Sequence, residues 1–142
     1  MKIVVDSSAF AKRYILEDGS EIVDQFLQRA SELALCAILV PEIISGLNRR
    51  LREHFLSLQE YQKARTQLLD DVHDAIVLQV TPAVISRSVK LLEKNVLRAM
   101  DALHIASALE WHAECFITAD RRQMMAAGKS GLHTEYVGRQ SI

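Results

Sequence analysis

A chain of 142 residues with 49% hydrophobic and 25% charged residues suits one globular domain able to bury roughly 70% of its unfolded surface, so no disulfide staple is required. Lys and Arg total 17 against 18 for Asp and Glu; this excludes a disordered polyelectrolyte and leaves nucleic acid open as a partner, because an acidic site and a basic rim cancel in the sum. The opening "MKIVVDSSAF" meets a charge after three apolar residues, and no stretch approaches the roughly 18 apolar residues of a membrane span. A cytoplasmic protein without membrane contact is expected.

In chain order, "KIVV" (2–5) reads as a strand. A helix is expected from about Ser8 to Ile15 and another from about Ser20 to Ala30, after Gly19. "LALCAI" (33–38) is a second strand, and a third helix opens with Pro41 and runs to about Glu53. "SLQEYQKARTQLLDDVHD" repeats Leu58, Tyr61, Leu68, Leu69 and Val72 near helical spacing, so two helices follow one another as a hairpin. "AIVLQV" (75–80) is a third strand. Thr81 and Pro82 are a cap and a first-turn proline for the next helix. The helix "LRAMDALHIASALEW" leads into "CFIT" (115–118), and "TEYV" (134–137) is a weaker last strand. Short apolar strands alternating with helices argue for a parallel sheet covered on both faces, an α/β fold. Cys36 and Cys115 lie in strand runs without metal spacing and are expected to be buried free thiols.

Asp101 stands at the mouth of a helix that is apolar nearly all round. A carboxylate buried there costs several kcal/mol unless it is paired or bound to a metal. Asp6 closes the first strand, Glu42 follows Pro41, and Asp120 ends "CFITAD". Each of these three, taken alone, is explained as a helix cap or a first-turn acid, worth about 0.3–1 kcal/mol at the helix dipole. Taken together they lie at the carboxyl ends of parallel strands, the edge where open α/β sheets bind ligands. The helix of Asp101 follows no strand, so its start is expected near the opposite edge or tilted across the sheet, and topology alone does not bring it into the cluster. Were all these carboxylates to converge, they would require a compensating cation. An all-oxygen set selects Mg²⁺ or Mn²⁺ and phosphate-centred chemistry.

"VVDSSAFAKRY", "VPEIISGLNRR", "LRAMDALHIASAL" and "FITADRR" resemble, in order and spacing, the acidic motifs of PIN-domain nucleases, especially the VapC-like toxins of toxin–antitoxin pairs. The likeness runs from Met1 to about Ala127. It implies a PIN-like three-layer α/β/α domain over 1–142, with a parallel sheet of four to five strands and a projecting helical hairpin. It also implies that the helix at Asp101 turns its N-terminus into the acidic cleft. Asp6, Glu42, Asp101 and Asp120 match the family's catalytic, metal-binding acids. Thr118 matches the hydroxyl residue before the last acid, and Ser8 sits where a small hydroxyl residue often follows the first. The implied activity is a Mg²⁺- or Mn²⁺-dependent endoribonuclease, a homodimer silenced by a cognate antitoxin whose tail lies along the hairpin and reaches into the cleft. Where some PIN domains carry a further acid after the last motif, this chain has Arg122, Gln123 and Met124. One firmly held ion is therefore expected, with a second left open.

Candidate RNA contacts beside the acids are Lys12, Arg13, Arg49, Arg98 and Arg121, with Arg50, Arg52 and Arg122 nearby; each basic run alone also reads as a solvated face. His104, three residues beyond Asp101 in apolar surroundings, is expected to be a hydrogen-bonded core residue and not a base. Two other classes of function remain: a metal-dependent phosphatase or DNA-directed nuclease, and a non-catalytic PIN-like scaffold. The first strand lacks the D-x-D of haloacid-dehalogenase phosphatases, and none of the four acids that a degenerate scaffold would be expected to lose is missing.

Overall fold

The computed structural model describes residues 1–139. Strand β1 (Lys2–Val5) leads into a short α1 (Ser7–Phe10) and a 3-10 turn (Ala11–Arg13), then α2 (Ser20–Arg29) and β2 (Glu32–Cys36). The hairpin α3 (Leu39–Arg52) and α4 (Leu58–His73) follows, then β3 (Ile76–Leu78), α5 (Pro82–Lys94) and α6 (Ala99–Trp111). The chain closes with β4 (Cys115–Thr118), α7 (Arg121–Lys129) and β5 (Thr134–Tyr136). All strands are parallel, in the order β3-β2-β1-β4-β5.

Alternation along the strands builds two cores. Ile3 and Val5 of β1 face one side with Leu35 and Ile117, under residues of α1 to α4. Val4 faces the other with Ala34 and Phe116, under α5, α6 and α7. Successive strand side chains point to opposite faces, so one apolar run supplies both layers of a three-layer fold. The hairpin is anchored on the first core, where Leu47, Ala64 and Leu68 join Ile3 and Val5. Its outer side leaves Phe55, Leu58 and Leu69 exposed. A capping box starts α4, with Ser57 and Glu60 satisfying each other's backbone N–H groups.

Three local expectations are corrected. The first helix does not reach Ile15: Asp6 caps it at Ser7, and the chain tightens into the 3-10 turn where Lys12 is drawn back to Glu17 and the Asp18 carbonyl. The third helix begins at Leu39, before Pro41, because a proline within the first turn forfeits only an N–H that has no helical partner. Strand β3 is not buried on both faces: it is an edge strand, and Ile76 and Val77 are 41% and 37% exposed. Cys36 and Cys115 are buried free thiols, as expected. Among the described residues, no helix is long and apolar enough to cross a membrane.

Truncating Leu68 to Ala should lower the unfolding free energy by about 2–5 kcal/mol in chemical denaturation. A loss of only about 0.5 kcal/mol, typical of surface sites, would show that α4 is not part of the core.

Candidate active site

The sheet grows from β1 to β2 and β3 on one side, and later from β4 to β5 on the other. The strand order therefore reverses at β1, and a crevice opens at the carboxyl ends of β1 and β4. Val5 pairs with Ile117, and the Asp6 N–H donates to the Ile117 carbonyl at 3.0 Å. That register sets Asp6 beside Thr118. The Thr118 hydroxyl donates to Asp6 Oδ2 at 2.6 Å, while Ser8 Oγ lies 2.8 Å from both carboxylate oxygens and the Ala9 N–H donates to Oδ1 at 2.9 Å. Both hydroxyls accept backbone N–H groups of their own, Ser8 from Ala119 and Thr118 from Asp120. Their protons are thereby aimed at Asp6. Asp6 is 0% exposed and has no Lys or Arg partner among the described residues. Burial pushes its pKa up, against the pull of the His104 ring when charged and of the bonds from Thr118, Ala9 and Ser8.

Connectivity brings Asp101 to the same edge. Lys2 Nζ donates to the Trp111 carbonyl at 2.9 Å and the Glu114 N–H to the Lys2 carbonyl at 2.8 Å, so α6 ends at the amino edge of the sheet. A helix of 13 residues rises about 20 Å, which carries its N-terminus back to the carboxyl edge. The expectation that topology leaves Asp101 outside the cluster is thus corrected: a helix that feeds a strand starts where the strands end. Asp101 Oδ2 accepts from Arg98 N and Nε at 3.3 and 3.2 Å, and Oδ1 from Gln123 Nε2 at 2.9 Å. A terminal nitrogen of Arg98 also stands 3.8 Å from Asp120 Oδ2, although the arginine side chain is 76% exposed. Asp120 caps α7, its Oδ1 accepting from the Arg122 and Gln123 N–H groups at 2.8 and 3.3 Å. Capping and site membership coexist in this residue, as they do in Asp6.

Glu42, in the first turn of α3, completes the edge. Its Oε1 accepts from the Ser7 hydroxyl at 2.6 Å and lies 2.6 Å from His104 Nε2. Burial opposes its charge, but the bonds from His104 and Ser7, with the charges of His104 and Arg98, outweigh it and hold the carboxyl below its usual range. His104 is the buried, hydrogen-bonded residue expected, but its partner is one of the candidate acids, Glu42. Ser7 is not among the residues that the sequence pattern singles out, and Gln123 enters it only as a departure from an acid. The available signals were the second serine of "VVDSSAF" and the position of Gln123 one helical turn beyond Asp120.

Of the candidate cations, two are corrected. Lys12 is buried, with its ammonium on Glu17 and the Asp18 carbonyl. Arg13 pairs with Asp24 and Asp71 at 3.3 and 2.9 Å and lies over the Phe10 ring. Neither presents a charge to the cleft. Arg121 packs over Tyr136 at 4.8 Å and donates to the Arg139 carbonyl, on the β5 side. Arg49, Arg52 and Arg98, with Glu42, Ser45 and Met100, line an open cleft of about 620 Å³.

The donor set suits a hard divalent cation. Asp6 is a buried carboxylate with no lysine or arginine partner among the described residues, and Gln123 Oε1, on the side chain that holds Asp101, is buried without a hydrogen-bond partner, as is Nδ1 of His104. The side chains do not already enclose such an ion: among the described residues no group of three His, Cys, Asp or Glu is arranged to hold one. The Arg98 guanidinium stands between Asp101 and Asp120 instead.

A parallel α/β sheet with these acids at its switch point defines a class. The family model of the PIN domain matches residues 3–129, and the chain belongs to that family. Over 131 residues, 91% of each protein, it is 27% identical to ribonuclease VapC45 of Mycobacterium tuberculosis (strain CDC 1551 / Oshkosh). The solved structure of VapC20 of M. tuberculosis, described as a sarcin-ricin loop cleaving toxin, superposes with a TM-score of 0.68 at 16% identity, covering 92% of this chain and 95% of that one. A toxin–antitoxin complex from Klebsiella pneumoniae gives 0.65 at 15% identity, over 86% and 89%. At such identities the solved structures share the fold with this chain.

Because the folded-state pKa of Asp6 is raised above its ordinary 3.8, the ionised form opposes folding. The stabilising contribution is complete at low pH and is lost as pH rises from that ordinary value through the folded one. Asp6→Asn keeps a cap acceptor and should raise the Tm of metal-free protein at pH 7 by about 2–4 °C per kcal/mol relieved, measured by calorimetry in EDTA. The gain should shrink toward about pH 4. A lower Tm for the variant at pH 7 would mean that the ionised carboxylate stabilises the fold.

Proposed function

We propose that this chain is a Mg²⁺- or Mn²⁺-dependent endoribonuclease that hydrolyses RNA phosphodiester bonds, acting as the toxin of a toxin–antitoxin pair. The observation that carries the reading is Asp6: a fully buried carboxylate at the switch point, braced by Ser8 and Thr118 and lacking a lysine or arginine partner among the described residues. Asp101, Asp120 and Glu42 stand at the same edge. These acids would hold the ion. When bound, Mg²⁺ or Mn²⁺ lowers the pKa of water and offsets negative charge gathering on a phosphate.

The chain's own side chains divide the remaining work. Ser8 and Thr118 fix the orientation of Asp6, and Gln123 fixes that of Asp101. Arg49, Arg52 and Arg98 line the cleft beside Glu42, a positive rim that would draw an RNA backbone toward acids that would otherwise repel it. A histidine base is not needed, and His104, buried with its Nε2 on Glu42, has no route to a substrate proton. The ribonuclease name of the M. tuberculosis relative and the toxin–antitoxin title of the K. pneumoniae complex support the RNA substrate and a cognate antitoxin. A homodimer in the cytoplasm belongs to the same proposal.

Purified protein should cut single-stranded RNA on addition of Mn²⁺ or Mg²⁺ and stop in EDTA. Asp6→Asn and Asp101→Asn should each lose about a hundredfold or more in rate, beyond what removing an outer partner of a ligand costs, with unchanged circular dichroism. Cleavage that persists in EDTA, or hydrolysis of a phosphomonoester with no action on RNA, would overturn the reading. Replacing Arg49 by Ala should weaken RNA binding and flatten its dependence on salt by about 0.7 in log–log slope, as expected for one lost contact to a single strand; an unchanged slope in a filter-binding series would remove Arg49 from the interface.

A further inference from the structure

We propose that Ser7 and His104 are positioning residues that hold Glu42 by one carboxylate oxygen, leaving the other to work in the cleft; this rests on the nuclease reading above. Both contacts fall on Oε1, from Ser7 Oγ at 2.6 Å and His104 Nε2 at 2.6 Å, and Oε2 makes no hydrogen bond among the described residues. Glu42 lines the cleft. An ionised carboxylate only accepts, so the proton between the two groups sits on Nε2.

The placement of the donors gives the clamp its purpose. Ser7 follows Asp6 directly, and His104 lies one helical turn beyond Asp101 on α6. Glu42 is thereby tied to the two segments that carry the buried acids Asp6 and Asp101, and its spacing from them is set by short, partly buried bonds instead of by the free rotamers of a long side chain. His104 is 1% exposed, which suits a strut and not a proton carrier. The hydrogen-bond partners of His104 among the described residues are Ser7 and Glu42, both through Nε2, while Nδ1 has none.

Steady-state RNA cleavage by variants tests this. His104→Leu should reduce kcat about 10- to 100-fold, the range for an outer partner of a ligand, with KM little changed. His104→Gln, whose amide N–H can reach the same oxygen, should recover most of the loss, and Ser7→Ala should fall between parent and His104→Leu. In a Glu42→Ala background, His104→Leu should cost nothing further. An undiminished loss in that background, or failure of a folded Gln variant to recover activity, would overturn the proposal. NMR gives a second readout independent of activity: the parent should show a downfield, slowly exchanging imidazole Nε2 proton that shifts on Glu42→Ala. A protein showing that proton yet cutting no RNA would support the clamp and sink the nuclease reading. One that cuts RNA without it would overturn the clamp alone.

Discussion

A carboxylate shut away from water with only neutral donors around it governs the rest of this molecule. Asp6 accepts from two hydroxyls and one backbone N–H, and no lysine or arginine among the described residues pairs with it. Hydrogen bonds orient such a group but do not cancel its charge, and the cost of keeping it ionised stays high in a medium of low dielectric. A fold selected for stability alone would place an asparagine or a paired acid there. The proposed nuclease reading accounts for the burial, because a bound divalent cation would repay the desolvation.

The geometry that permits this follows from the sheet. With β1 central and the chain laying strands first to one side and then to the other, the carboxyl ends of β1 and β4 face a gap that no crossover helix covers. Parallel register then does the fine positioning: pairing of Val5 with Ile117 makes Asp6 and Thr118 neighbours. Helix α6 reaches the same edge because it must return to the amino edge to feed β4. Three otherwise ordinary constraints, strand register, helix length and cap chemistry, thus converge on one edge of the sheet.

Much of this was legible in the amino-acid sequence. Short apolar strands alternating with helices announce the parallel sheet, and the acids at strand ends announce its functional edge. What stayed hidden is what depends on three-dimensional direction. Lys12 and Arg13 follow Asp6 by six and seven positions, yet the 3-10 turn sends them toward Glu17, Asp24 and Asp71; closeness along a chain says little about which way a long side chain leaves a turn. His104 carried both signals, a polar group on an apolar helix and a spacing of one turn from Asp101, but its partner lies 62 positions away. Contacts of that separation are invisible to periodicity. Gln123 is the converse case, since its chemistry is ordinary and only its burial against Asp101 gives it meaning.

The partners of the acids are of two mechanical kinds. Asp6 and Glu42 are held by Ser7, Ser8, Thr118 and His104, short or ring-bearing side chains in buried or half-buried positions, with few rotamers to lose. Asp101 and Asp120 share Arg98, a long, exposed side chain at the lip of the cleft. The guanidinium is 76% exposed while Asp101 is only 5% exposed, so water screens the arginine end of the pair, and its release returns rotamer freedom to the arginine. A cation shared by Asp101 and Asp120 would take the place of the guanidinium at small cost, leaving Arg98 free at the rim to face a phosphate. On the proposed reading the site is stiff around Asp6 and Glu42, and Arg98 at its lip is able to face either an acid or a phosphate.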